Sequence, residues 1–468
     1  MVGALLILSF PARSAQTDRY LVNLKLRAFE AAWEKQPDKT KRKQAAAILE
    51  PLTFSLLAGN LTGAAQLLDH ARFKLVDLPE NDRWAQAVAV RVTQPLLDAG
   101  KLQVRGKLVL AYPLPTTLPE RITLDFLNTG NAQEKPAQDM TTSFSLNTLT
   151  ENSQDFLLNL PKGTPEGNFD LRFAIRNYDR TVTNGSVPLV LVPDLEKHIA
   201  QLEVKADSIK KLTPSIGRST WLLMHSRITL AVQGKNQETD YPYARWLAEL
   251  NLGYEVVERG EKWPNPIGAN PVWLALPLKN GDKVVRIEGA ARDGKTPMTT
   301  VVTLHGAGGS ENLFCEGYGR LAPILAEKNG WMLISPLNGP SDELLDRLTA
   351  WQPIDVRRVV AIGHSMGAAH ATAWAVHQPR QLRAVAALGG GGRVGNGEAW
   401  ERLPFFVGVG DKDFALKSAK NLADSLKKNH CRSVDLRVYP GLEHITVVQA
   451  CLGDVFAFFK EILDGKDD

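Results

Sequence analysis

The chain has 468 residues, of which 44% are hydrophobic and 23% charged. That is an ordinary globular balance, and it excludes wholesale disorder or a fibrous repeat. Single cores usually span roughly 100 to 200 residues, so two or three domains are expected. The formal charge of +4 is a small bias. The densest basic run, Lys39 to Lys43, lacks the interleaved aromatics of a nucleic-acid surface and reads as a solvated helix start, so no nucleic-acid partner is expected. Three cysteines, Cys315, Cys431 and Cys451, are too few and too scattered for a disulfide framework or a zinc site, and at most one bridge could form.

Val2 to Phe10 is a short apolar run, and the Pro11-Ala12-Arg13-Ser14-Ala15 that follows resembles the small-residue end of a signal peptide. Residues 1–15 are therefore expected to be a leader, and the mature protein to be exported to the periplasm or secreted. Beyond it no stretch approaches the roughly 18 consecutive apolar residues of a spanning helix, so stable membrane insertion is not expected.

Residues 16–101 show apolar residues at helical spacing, as in Leu26, Phe29 and Trp33 and again in Ala64, Leu67 and Leu68, and predict a small helical region. Alternation over short runs follows, in LQVRGKLVLAY, RITLDFLNT, TSFSLNT, NFDLRFAIRN and VPLVLV, separated by Pro, Gly and Asn. Residues 102–193 thus predict a β-sandwich, read as a spacer or packing module. Helical spacing returns in Leu202, Ile209 and Leu212, and residues 194–265 are expected to connect the sandwich to a catalytic domain at 266–468. There, apolar strands alternate with amphipathic helices, the pattern of a mostly parallel sheet covered on both faces: an α/β class. Strands are predicted at about 298–304, 331–335, 357–362, 382–388, 404–410 and 434–439.

The strand RRVVAI runs directly into Gly363-His364-Ser365-Met366-Gly367 and then into an Ala-rich helix. In this context G-x-S-x-G places a serine on a strained turn at the sheet's carboxyl edge, and Ser365 is the expected nucleophile. Serine is a poor nucleophile at neutral pH and needs a histidine base, itself oriented by a carboxylate. Of the downstream histidines, His370 and His377 lie on the helix after the serine and His430 ends the helix before the last strand. His444 follows that strand and is the expected base. The segment after PFFVGVG offers two carboxylates, Asp411 and Asp413. The developing oxyanion needs backbone N–H donors, one from the residue after the nucleophile, Met366, and one from the glycine-rich loop His305-Gly306-Ala307-Gly308-Gly309-Ser310, where Ala307 is expected and Gly308 next.

Strand-HGAGG, strand-GHSMG, strand-GDKD and strand-GLEH, in this order, resemble the α/β-hydrolase superfamily over about 200 residues. The region looks most like the feruloyl esterase and polyhydroxybutyrate depolymerase type, in which an I-D-x-x-R-V segment precedes GHSMG; here it is Ile354-Asp355-Val356-Arg357-Arg358-Val359. The resemblance implies an α/β-hydrolase fold and favours Asp413, which closes a Gly-x-x-Asp segment, with Asp411 as the alternative acid shaping the turn. The chain departs from those relatives in carrying Ala368 where a third glycine is common, and in a long N-terminal half without a match.

A serine hydrolase cleaving carboxylic esters, a carboxylesterase acting through an acyl-enzyme, is therefore expected, with no metal or organic cofactor implied. The short segment between LRAVAAL and PFFVGVG leaves little room for a cap, which suits bulky or polymeric esters. An oligopeptidase-type serine peptidase shares the chemistry, but the first half lacks propeller blades repeating about every 40 to 45 residues. An inert binding or scaffold protein is the alternative of another class, opposed by the intact Ser365, Asp413 and His444. Gly390, Gly392 and Gly395 formally fit a dinucleotide fingerprint but lack the helix and acidic partner it requires.

Overall fold

Side-chain caps set the first helices. Asp18 accepts the Leu21 N–H at the start of α1 (Arg19–Lys35), and Asp38 accepts those of Thr40 and Lys41 at the start of α2 (Lys39–Leu49). After the short α3 (Leu52–Leu57), Asn60 accepts from Gly63 to open α4 (Leu61–Leu75). Each cap satisfies an N–H that the first helical turn leaves without a partner. Phe29, Trp33, Leu49 and Leu68 fill the bundle core, with Ala45, Ala64, Ala65 and Ala71 letting the helices approach closely. The computed structural model describes residues 17–113, 121–127, 141–145, 153–235, 238–263, 271–289, 295–340, 343–392, 394 and 402–465. The segment expected to be a leader, residues 1–15, lies outside them, as does Gly395. Among the described residues no helix is long and apolar enough to cross a membrane.

The helical region was expected to run to residue 101, but strand begins at Val88, a correction whose cause is plain in VAVRV. Val88 and Val90 alternate inward, and five residues suffice for a strand where they are too few for a helix. β1 (Val88–Val92), β3 (Gln103–Leu110) and β6 (Gln154–Asn159) form one antiparallel sheet in the order β1-β3-β6. β2 (Leu96–Asp98), β4 (Arg121–Leu127), β5 (Thr141–Ser145), β7 (Gly167–Asn177) and β8 (Arg180–Val192) form a second, ordered β2-β8-β7-β4-β5. Val104, Leu108 and Phe156 from the first meet Leu124, Phe126, Leu171 and Ile175 from the second in one buried cluster, the inner face of a sandwich.

Residues 194–265 are not a mere connector. α5 (Leu195–Ile209), α6 (Ile216–Val232) and α7 (Tyr243–Glu258) share one continuous core with the large C-terminal sheet. Trp221, Trp246 and Trp273 are fully buried there, Trp246 meeting Trp273 edge-on at 5.5 Å, and the Trp221 indole N–H donates to the Leu250 carbonyl at 3.0 Å. Periodicity reveals that a helix is amphipathic but not what its apolar face covers.

The large sheet has eight strands in the order β16-β15-β14-β13-β11-β12-β10-β9. Six are parallel: β11 (Met298–Leu304), β12 (Met332–Pro336), β13 (Ile354–His364), β14 (Ala384–Leu388), β15 (Phe405–Gly410) and β16 (Val434–Tyr439). β9 (Val272–Leu278) and β10 (Gly281–Glu288) add an antiparallel hairpin at one edge. One face packs on α6, α7 and α11 (Met366–His377). The other packs on α8 (Leu313–Glu316), α9 (Leu321–Lys328) and α13 (Thr446–Asp464), while α10 (Leu344–Thr349) and α12 (Leu416–Lys428) join the first core. Burial on both faces explains the nearly unbroken apolar strands. β11 lies between β12 and β13, so the strand order reverses beside it, and the loops leaving β11 and β13 diverge around a crevice at the carboxyl edge.

Replacing Trp221 with alanine should cost about 3 to 5 kcal/mol, the range for removing a large buried aromatic. Urea denaturation of the Trp221→Ala variant should show the loss in a transition shared with the C-terminal sheet, because helix and sheet have one core.

Candidate active site

At the end of β13 the backbone of Ser365 takes φ 57° and ψ −118°, a left-handed, strained conformation for a residue with a side chain. The Ser365 N–H donates to the Leu388 carbonyl at 2.9 Å, and its own carbonyl accepts from Ala368 at 3.0 Å. The turn is too tight for side chains on either side. A Cβ on Gly363 would lie 2.0 Å from the Gly367 carbonyl oxygen, and one on Gly367 would lie 1.9 Å from that of Leu304. Ala368 is accommodated from across the turn: its Cβ lies 3.0 Å from where Gly390 would carry one.

His444 stands in the loop between β16 and α13. Its Nδ1 donates to Asp413 Oδ1 at 2.9 Å, with both side chains buried. Asp413 Oδ1 also accepts the Ala415 N–H at 2.8 Å, which fixes the carboxylate. Asp411 is exposed and accepts the Gly441 N–H at 2.6 Å, so it braces the turn leading to His444 and does not orient the imidazole. Gly410 permits the close approach of these two loops, since a Cβ there would lie 2.0 Å from the Leu442 carbonyl oxygen.

The loop after β11 lies against the serine. A Cβ on Gly306 would sit 3.1 Å from that of Ser365. His305 Nε2 accepts the Asn338 N–H at 3.2 Å, which assigns the ring proton to Nδ1, and Nδ1 donates to the Gly306 carbonyl at 2.8 Å. Ser310 Oγ donates to Glu238, and Arg19 on α1 donates to the Gly308 carbonyl at 3.0 Å. These bonds hold the loop through its carbonyls and side chains. Among the described residues none accepts the N–H of Ala307 or Gly308, and the Met366 N–H opens α11, where first-turn donors lack an intrahelical acceptor.

His370, His377 and His430 stand elsewhere. His370 and His377 lie on α11, and His430 follows the end of α12 in a left-handed conformation. Cys315, Cys431 and Cys451 are free thiols, and burial pushes Cys315 up to about 12.

Three supporting groups escaped the sequence reading. His364, the second residue of GHSMG, is fully buried, and its Nε2 lies 3.0 Å from the His444 carbonyl. A carbonyl only accepts, so Nε2 carries the proton and Nδ1 accepts from the Tyr318 hydroxyl at 2.9 Å. Burial, reinforced by His444, holds His364 well below the ordinary histidine range, so it stays neutral while gripping the His444 backbone. Glu443 accepts the N–H groups of Ile445 at 2.8 Å and Thr446 at 2.7 Å, capping α13. A carboxylate just before an apolar helix was a readable cap signal. Tyr318, far off in sequence, left no such trace. Beyond Ser310 the chain is anchored by buried Arg286, which donates to Glu288 and Glu316 and to Asn312 at 3.0 Å, and lies over Trp273 at 4.6 Å.

The parallel sheet with its antiparallel edge, the strained serine turn after β13 and the order of the loops that follow define an α/β-hydrolase fold. No family model matches the chain, and no curated protein does. Among solved structures, a feruloyl esterase module from Clostridium thermocellum complexed with sinapinate is 16% identical, covering 44% of this chain and 93% of its own with a TM-score of 0.37. An S-formylglutathione hydrolase from Agrobacterium tumefaciens is 15% identical over 43% of this chain and 98% of its own, with a TM-score of 0.34. A thermostable esterase is 12% identical over 80% of this chain and 99% of its own, with a TM-score of 0.37.

Burial raises Glu443 from an ordinary carboxyl value to about 7 and raises Glu30, on α1, likewise to about 7. A carboxyl whose folded value lies above its unfolded one binds its proton more tightly when folded. Its contribution to stability is present below about pH 4.5 and is lost as pH rises to about 7. Urea denaturation at steps from pH 4.5 to 7.5 should show this decline, and Glu443→Gln, which keeps an acceptor without a titrating proton, should make it shallower.

Proposed function

We propose that the protein is a serine esterase that hydrolyses carboxylic esters through an acyl-enzyme on Ser365. The observation that carries this reading is the buried Asp413–His444 pair at 2.9 Å, held on the same carboxyl edge as a serine in a strained turn. With Nδ1 donating to Asp413, the lone pair of His444 Nε2 is available to take the Ser365 Oγ proton as Oγ attacks the ester carbonyl carbon. Negative charge then develops on the former carbonyl oxygen. Met366 and Ala307, with Gly308 beside it, are assigned as the backbone N–H donors to that oxygen, since fixed donors need little reorganisation as charge develops. The imidazolium returns its proton to the departing alkoxide, and a water activated by the same nitrogen releases the acid.

Bulky or polymeric esters suit the mouth of the site. Ala307, Gly308, Met366 and Phe414 are all exposed around a partly accessible Ser365. The connection from β14 to β15 spans only residues 389–404, which leaves no length for a separate cap domain.

Fluorophosphonate labelling together with p-nitrophenyl ester hydrolysis tests the proposal. Wild type should be labelled, and Ser365→Ala should lose labelling and turn over on the order of 10⁶-fold more slowly. Absence of serine-dependent labelling, or faster cleavage of peptide anilides than of esters, would overturn it. Asp413→Asn should lower kcat by about 10⁴-fold by favouring the wrong imidazole tautomer, and steady-state kinetics should find a far smaller loss in Asp411→Asn.

A further inference from the structure

The N-terminal bundle meets the catalytic domain at the loop that carries His444. Leu442 and Ile445 pack against the bundle core, and the Lys43 side chain lies beside Gly441. Gln449 on α13 donates to Glu34 at 2.6 Å and to the Glu30 carbonyl at 3.3 Å, both on α1, and Glu30 accepts the Gly319 N–H at 3.2 Å. The bundle is therefore tied to both flanks of the His444 loop. From this fixed position α3 presents Phe54, 58% exposed, whose ring lies 5.3 Å from that of Phe414, 54% exposed. The Phe414 ring in turn lies 4.3 Å from the imidazole of His444. Three rings, from two parts of the chain 300 and more residues apart, thus form a shelf running from the base out to solvent.

Two half-exposed phenylalanines in contact, held by a polar anchorage, are more than scattered surface apolar residues, and their place beside His444 indicates what they meet. This step rests on the esterase reading. In acylation the bond from the carbonyl carbon to the leaving oxygen breaks with its electron pair going to oxygen, and the His444 Nε2 proton moves to that same oxygen. The leaving oxygen must then lie within hydrogen-bonding reach of His444, and whatever it carries extends past the imidazole. We propose that Phe54 and Phe414 form the subsite for the alcohol portion of the ester, and that the N-terminal bundle selects alcohols bearing an aryl or extended alkyl group. The acyl portion lies on the opposite side of the tetrahedral carbon and is not read by this shelf. Phe54 is a specificity residue contributed by a domain outside the hydrolase fold.

Two ester series separate the sides: acetates of methyl, butyl and benzyl alcohol, and methyl esters of acetic, butyric and phenylacetic acid. Wild type should prefer benzyl over methyl acetate by about tenfold or more in kcat/KM, the scale for added apolar contact in a binding site. Phe54→Ala should compress that ratio to about threefold or less and leave the ratios along the acyl series unmoved, while Phe54→Trp should restore the alcohol preference. The same subsite receives alcohols in the reverse direction. The acyl-enzyme of wild type should therefore transfer to added benzyl alcohol in preference to methanol, and that preference should fall in Phe54→Ala. Circular dichroism and urea denaturation establish that the variant is folded. Compression along the acyl series, or an alcohol ratio and transfer preference unchanged in a folded Phe54→Ala, would overturn the shelf while wild-type labelling at Ser365 leaves the esterase reading standing. Loss of wild-type labelling would overturn both.

Discussion

The turn that carries Ser365 depends on a contact between backbones. Gly367 passes so near the end of β11 that any side chain there would strike the Leu304 carbonyl, and Gly363 is closed off by Gly367 itself. This closeness follows from sheet order, because β11 and β13 are hydrogen-bonded neighbours whose following loops leave on either side of the strand-order reversal. With the two strands paired, the loop that begins at His305 lies against Ser365. The strained φ of Ser365 is maintained by the hydrogen bond to Leu388 and the packing of α11, not by local preference.

The histidine side of the site is positioned differently. No single strand end fixes His444. Asp413 holds its Nδ1, His364 holds its carbonyl, Glu443 caps the helix that follows and Asp411 braces the turn before it. Leu442 and Ile445 then anchor the loop in the N-terminal bundle. The bundle is therefore part of the support for the site, and the sandwich is linked to the catalytic sheet through Val190 and Val192, which share its larger core.

The parts legible in the sequence were those with local signatures. Six parallel strands announced themselves as apolar runs, and the glycine spacing around Ser365 reflects a turn whose tightness is now visible atom by atom. The hairpin of β9 and β10 escaped notice although Lys279-Asn280-Gly281 was a turn signal between apolar runs. The joining of α6 and α7 to the catalytic core, the Tyr318–His364 contact and the meeting of Phe54 with Phe414 had no local trace. Each depends on residues brought together by topology, which composition and periodicity do not encode. Ala368 illustrates the point: the room for its methyl group is visible only once Gly390 is seen opposite.

The bond between Glu30 and Gln449 joins residues 419 positions apart. During synthesis the bundle leaves the ribosome long before the loop that completes its apolar surface, and that loop carries His444. The apolar surface of the first helices is completed only when Leu442 and Ile445 have been made. A polypeptide ending before Leu442 would thus lack both His444 and part of the bundle's packing, so one loop completes the first domain and the site together.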